Sequence, residues 1–126
     1  KSIIKNTWGR KIIIENKQFI VNSSFEEKFI LKCYELSILI KRGPLLKYIW
    51  DEKSRIYFVD FEIIKNNKKY LVELKGTHKW YYEELNNGKL YAKNDAAKAY
   101  IIKNNYEDFI FILNNVKLYE KILEEL

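Results

Sequence analysis

The chain has 126 residues, with 23 Lys+Arg against 17 Asp+Glu and a net charge of +6, enough for one core covered by helices and too few for a second domain. Its single cysteine, Cys33, excludes an internal disulfide and a cysteine-based zinc site and points to a reducing, cytoplasmic compartment. No apolar run reaches the roughly 18 residues needed to cross a bilayer, and no signal-peptide core opens the chain, so a soluble protein with no membrane partner is expected. Lys1 in place of an initiator Met leaves room for residues ahead of it. The positive charge is concentrated in residues 1–22, where Lys1, Lys5, Arg10, Lys11 and Lys17 stand against Glu15. A basic face of this kind suits nucleic acid first, although a Lys-rich solvated surface has the same composition.

In chain order, Ile12-Ile13-Ile14-Glu15 and Phe19-Ile20-Val21 flank a polar turn and predict a small hairpin. Ser23 and Ser24 open a helix, since Ser-x-x-Glu occurs in two overlapping registers, Ser23 to Glu26 and Ser24 to Glu27. Phe25, Phe29, Cys33, Leu36 and Ile40 continue at helical spacing, which predicts a helix that runs until Gly43-Pro44. Three strands are expected next, over residues 45–50, 57–64 and 69–75, forming a meander whose last turn is Asn66-Asn67. Residues 79–86 read as a short helical or irregular segment and residues 90–104 as a helix rich in Ala and Lys. Phe109-Ile110-Phe111-Ile112-Leu113 reads as a buried strand, and residues 116–126 as a closing helix with Val116, Tyr119, Ile122 and Leu123 on one face. This order predicts an α/β or α+β domain with a central mixed sheet flanked by helices.

The chemistry-bearing pattern lies in the last two strands of the meander. Four acid-x-Lys tripeptides occur in the chain, and three of them, at Glu15, Glu26 and Asp51, fall in turns or a helix start. Only Glu73-Leu74-Lys75 ends an apolar strand whose predecessor carries an acid, Asp60. Strand alternation puts Glu73 and Lys75 on one face, with Leu74 on the other, and puts Asp60 and Glu62 together on a face of the preceding strand. Carboxylates placed there are costly to bury unless they are paired or hold a cation. Mg²⁺ prefers oxygen ligands and takes one or two carboxylates while keeping waters, so Asp60, Glu73 and the Leu74 backbone carbonyl form a plausible ligand set, with Mn²⁺ also suited to oxygen donors. Lys75 beside such a metal could orient or deprotonate a nucleophile in phosphodiester hydrolysis. The plainer alternative is a surface ion pair between Glu73 and Lys75.

With these residues in view, the chain resembles the PD-(D/E)xK nuclease superfamily over residues 23–113. The resemblance rests on Ser23-Ser24-Phe25-Glu26-Glu27-Lys28-Phe29, Tyr57-Phe58-Val59-Asp60-Phe61 and Tyr70-Leu71-Val72-Glu73-Leu74-Lys75. It is nearest the branch of phage-type homing endonucleases, head-completion nucleases and transposon end-cleaving subunits, and residues 92–113 agree with that branch. The resemblance implies a restriction-endonuclease-like αβββαβ core at residues 23–113, preceded by a basic hairpin extension at residues 1–22 and followed by a C-terminal helix at residues 114–126. It implies metal acids at Asp60 and Glu73, an active-site lysine at Lys75 and an auxiliary acid at Glu26, which helps bind metal or orient water and which a capping role would also explain. Glu27 is its substitute if the helix starts one residue later. Val59 stands where the family name has Pro.

The resemblance further implies a Mg²⁺-dependent DNA endonuclease, of the homing or nicking type first and the branched-DNA or head-completion type second, phage-encoded and acting inside a host cell. One small active site cuts one strand at a time, so double-strand cleavage would require two sites, as in a homodimer, or two successive events. A catalytically inactive nucleic-acid-binding module on the same fold is the alternative from another class. Around the site, Lys79 with Trp80, Tyr81 and Tyr82 forms an aromatic-basic cluster suited either to base stacking or to core packing. Lys93 begins the inward stripe of its helix with Ala97 and Ile101 and is placed to reach a phosphate or a carboxylate, or to snorkel to solvent. Lys89, Lys98 and Lys103 are candidates for phosphate contacts. His78, the only histidine, is close enough in sequence to approach the site as an acid or base.

Overall fold

A computed structural model describes residues 10–21, 23–76, 79–113 and 116–126. The elements are β1 (Arg10–Ile14), β2 (Lys17–Val21), α1 (Ser24–Glu35), β3 (Leu39–Arg42), β4 (Leu45–Trp50), β5 (Lys53–Phe58), β6 (Phe61–Lys65), β7 (Lys68–Lys75), α2 (Lys79–Asn87), α3 (Lys89–Lys103), β8 (Asp108–Leu113) and α4 (Val116–Glu125). The central sheet is mixed, in the order β3-β6-β7-β8: β3, β6 and β7 are antiparallel neighbours, and β8 adds in parallel to β7. A parallel neighbour requires a crossover, and α2 with α3 provides it. The predicted class, a single α+β domain with a mixed sheet flanked by helices, is what the structure shows.

Among the described residues, the hairpins β1–β2, β4–β5 and β6–β7 each turn on two residues. Both residues are left-handed in each: Glu15-Asn16, Asp51-Glu52 and Asn66-Asn67. This is the turn whose twist matches that of paired strands. One face of the sheet, carrying Phe61, Ile63, Val72 and Ile112, packs against Phe29, Ile30 and Cys33 of α1 and Tyr119 and Leu123 of α4. Phe19 and Val21 of β2 are buried in the same cluster. The opposite face packs Leu71 against Tyr48, Tyr57, Val59 and Ala97.

Two expectations about strand placement are overturned, for local reasons. The first helix does not continue to Ile40 but ends at Glu35. Ser37 is left-handed (φ 59°), its N–H donates to the Tyr34 carbonyl at 3.1 Å, and the Ile38 N–H donates to the Cys33 carbonyl at 2.8 Å. That pair of bonds is a Schellman stop, and it frees Ile38 and Ile40 for the core. Strand β3 therefore takes the place beside β6 that a meander would give to residues 45–50, and these pair with β5 in a separate hairpin. The expected continuous strand over residues 57–64 also divides, at Val59-Asp60, as the chain leaves β5 for β6. The break is held by the Gly43 N–H donating to the Asp60 carbonyl (3.3 Å) and the Val59 N–H donating to the Pro44 carbonyl (3.1 Å). Gly43 is needed for this approach, since a Cβ there would stand 2.5 Å from the Val59 carbonyl oxygen.

Candidate active site

The β6–β7 register sets the site. Phe61 pairs with Val72, so one step further Asp60 lies opposite Glu73. Backbone donors hold both acids: the Asp60 N–H donates to Glu73 Oε1 at 3.2 Å, and the Leu74 N–H donates to Asp60 Oδ2 at 2.8 Å. Glu73 is only 6% exposed. Burial is the main force on both acids and raises both. Asp60 is pushed up to about 6, with the Glu26 charge adding to burial while the Leu74 N–H, Arg42 and Lys75 oppose it. Glu73 is pushed up to about 8 by burial and then by the charge of Asp60, against the Tyr57 hydroxyl, Lys75 and the Asp60 N–H. Burial and mutual repulsion thus favour the protonated form of the pair, Glu73 above all.

Glu26 reaches this pair from the first turn of α1. The Ser23 hydroxyl accepts the Glu26 N–H at 3.1 Å, so the first of the two capping registers is the one formed. The Glu26 carboxylate takes both arms of the Arg42 guanidinium, at 3.2 and 3.4 Å. Arg42 also donates to the Ile20 carbonyl, lies 3.5 Å from the Asp60 carbonyl and stacks 4.6 Å over the Phe61 ring. Glu26, Arg42, Gly43, Phe58, Val59 and Asp60 line an open cleft of about 270 Å³.

Lys75 follows Glu73 on the same face by strand alternation, and its charge favours the ionised forms of both Asp60 and Glu73. Its ammonium stands 3.4 Å from Glu84 Oε1 of α2, while Glu84 Oε2 accepts a 2.8 Å hydrogen bond from Lys93 of α3. Burial alone would raise the Glu84 carboxyl, but the Lys93 hydrogen bond and the two ammonium charges outweigh it and hold the group below its usual range. Lys93 thus reaches a carboxylate, and it also lies 5.7 Å from the Tyr57 ring centre.

The structure therefore brings together Glu26, Asp60, Glu73 and Lys75, with Leu74 between the last two. Arg42, Glu84, Tyr57 and Gly43 were not anticipated. Arg42 is hidden in the sequence because Leu36 and Ile40 keep the helical spacing of α1 through that stretch. Glu84 and Lys93 sit on different helices joined at Gly88, so no single helical period relates them. Outside the cluster, α2 buries no residue and Trp80 is 66% exposed, which excludes the core-packing role weighed for it. Lys79 pairs loosely with Glu83 at 3.9 Å, and Lys89 lies 5.6 Å over the Trp50 ring. His78 lies outside the described residues. Among the described residues, no group of three or more His, Cys, Asp or Glu side chains gathers to hold a metal ion, and no helix is long and apolar enough to cross a membrane. No known family model matches the chain, and no curated protein resembles it in sequence.

Proposed function

We propose that the protein is a Mg²⁺-dependent DNA endonuclease of the PD-(D/E)xK type, with Asp60 and Glu73 as metal ligands and Lys75 as the active-site lysine. The observation that carries this reading is the buried Asp60–Glu73 pair, locked by the Leu74 and Asp60 N–H groups and raised by burial and repulsion. Two carboxylates crowded in this way are poorly placed for an apolar core and well placed for a divalent cation, which would relieve both the desolvation and the repulsion. The donor set fits Mg²⁺, which takes one or two carboxylates and keeps its waters. The Leu74 carbonyl adds an oxygen, because an extended residue sends its N–H and C=O to the same strand edge, and here that edge faces Asp60. The order of α1, β3, β6, β7, α3 and β8 is in keeping with the αβββαβ core that the sequence resemblance implies, with β4–β5 as an insertion.

A bound Mg²⁺ would polarise the phosphodiester and lower the pKa of a coordinated water. Asp60 and Glu73 would hold that cation, and the Leu74 and Asp60 N–H groups orient the two carboxylates. Lys75 donates to the phosphate or orients the attacking water. Glu26, fixed by Arg42, adds negative charge beside Asp60 at the mouth of the cleft. The excess positive charge of the chain favours a polyanionic partner, and within this class a homing or nicking enzyme is the first reading, with a branched-DNA or head-completion nuclease second. The test compares wild type with Glu73→Ala and Lys75→Ala on supercoiled, linear, single-stranded and branched DNA with Mg²⁺. Cleavage of at least one form by wild type and its loss in both variants is expected; DNA binding without cleavage of any form would leave only a binding module.

A further inference from the structure

We infer that Glu84 is a positioning residue, a carboxylate strut that sets the Lys75 and Lys93 ammonium groups beside the Asp60–Glu73 pair so that both face the substrate phosphate. The inference rests on the nuclease reading. Glu84 and the two lysines come from three different elements, α2, β7 and α3, and their side chains are only 18%, 21% and 16% exposed. A lysine stem is long and flexible, and an untethered ammonium moves toward water. Holding two of them mostly covered therefore calls for an anion, and Glu84 is the carboxylate that contacts both.

The two tethers differ. Lys93 grips Oε2 at 2.8 Å, a charge-assisted hydrogen bond that straps α2 to α3. The contact at Oε1 is looser: Lys75 faces it at 3.4 Å, against 2.8 Å for Lys93 on Oε2. Lys93 thus orients Glu84, and Glu84 steers Lys75 through charge while leaving its N–H donors available to a phosphate oxygen. Two ammonium groups on one carboxylate leave a net positive charge, which complements a phosphodiester. A purely structural staple of α2 would account for the Lys93 bond, but it would give no reason to turn the second oxygen toward Lys75.

The test uses Glu84→Gln and Glu84→Asp in the full chain. Steady-state cleavage is measured over a range of DNA concentrations at saturating Mg²⁺, giving kcat and KM for DNA, alongside the Mg²⁺ midpoint and the NMR signals of the lysine ammonium groups. For Glu84→Gln a fall in kcat of about 10- to 100-fold is expected, with KM and the Mg²⁺ midpoint changed by less than about twofold and the Lys75 and Lys93 ammonium signals broadened away. Glu84→Asp, which keeps the charge, is expected to recover part of kcat, and it carries the test if the Gln variant does not fold. An unchanged kcat in the folded variants, a parallel loss in KM, or persistent ammonium signals would overturn the role of Glu84 while leaving the nuclease reading intact. Failure of wild type to cut any DNA overturns the nuclease reading and the role of Glu84 with it.

Discussion

Glu73→Gln should stabilise the metal-free protein, and the gain should grow with pH. Glu73 rises from 4.5 to about 8 in the fold, so across that window the native state holds a proton that the unfolded chain has released. A raised carboxyl contributes stability that is fully present below its unfolded pKa and is lost as pH rises through its folded one. At about 1.4 kcal/mol per pH unit the loss reaches about 4 kcal/mol by pH 8, an upper value that local relaxation reduces. Gln keeps an oxygen to accept the Asp60 N–H but has no charge to form. In chelator, urea unfolding between about pH 5 and about pH 8 should show wild type losing stability faster than the variant, with a gap of about 2 to 4 kcal/mol at the alkaline end. Mg²⁺ should close that gap by stabilising wild type alone, by about 2.7 kcal/mol at a hundredfold excess over its Kd. Parallel pH profiles for the two proteins would refute the claim that Glu73 is held protonated by burial and by Asp60.

Lys75→Ala should abolish cleavage yet leave the Mg²⁺-induced rise in Tm, because the ligand oxygens remain; loss of that rise would make Lys75 part of the metal site itself. Arg42→Ala should lower kcat by about 10- to 100-fold, since the fork on Glu26 and the contact near Asp60 disappear together, and steady-state kinetics checks it. Gly43→Ala should destabilise the fold by about 1 to 3 kcal/mol, as its Cβ would press on the Val59 carbonyl; denaturant midpoints decide. Trp80→Ala should weaken DNA binding with kcat unchanged, by about 1 to 3 kcal/mol if a base stacks on the exposed ring, as read by fluorescence anisotropy.

The parts of the site legible in the sequence were those governed by local rules. A two-residue turn at Asn66-Asn67 sets the β6–β7 register, and that register alone brings Asp60 opposite Glu73. The Ser23 cap places Glu26 in the first turn of α1. Strand β3 was not legible, because Leu36 and Ile40 keep the helical spacing of α1 while the left-handed turn at Ser37 depends on where the sheet needs Ile38 and Ile40. Arg42 was lost with β3. The break at Val59-Asp60 was hidden for a related reason: Tyr57, Val59, Phe61 and Ile63 keep a period of two in the sequence, yet the first two pack in one cluster and the last two in the other, with the Gly43 and Pro44 backbone bonds at the bend. The Lys75–Glu84–Lys93 cluster joins three elements, and such long-range ion pairs leave no periodic trace.

The most direct measurement is an anomalous-difference map from a crystal of the protein soaked in Mn²⁺. A peak within bonding distance of the Asp60 and Glu73 carboxylates and the Leu74 carbonyl is the expected result. An empty Asp60–Glu73 pair at saturating Mn²⁺, or a peak elsewhere only, would contradict the metal site on which the nuclease reading stands.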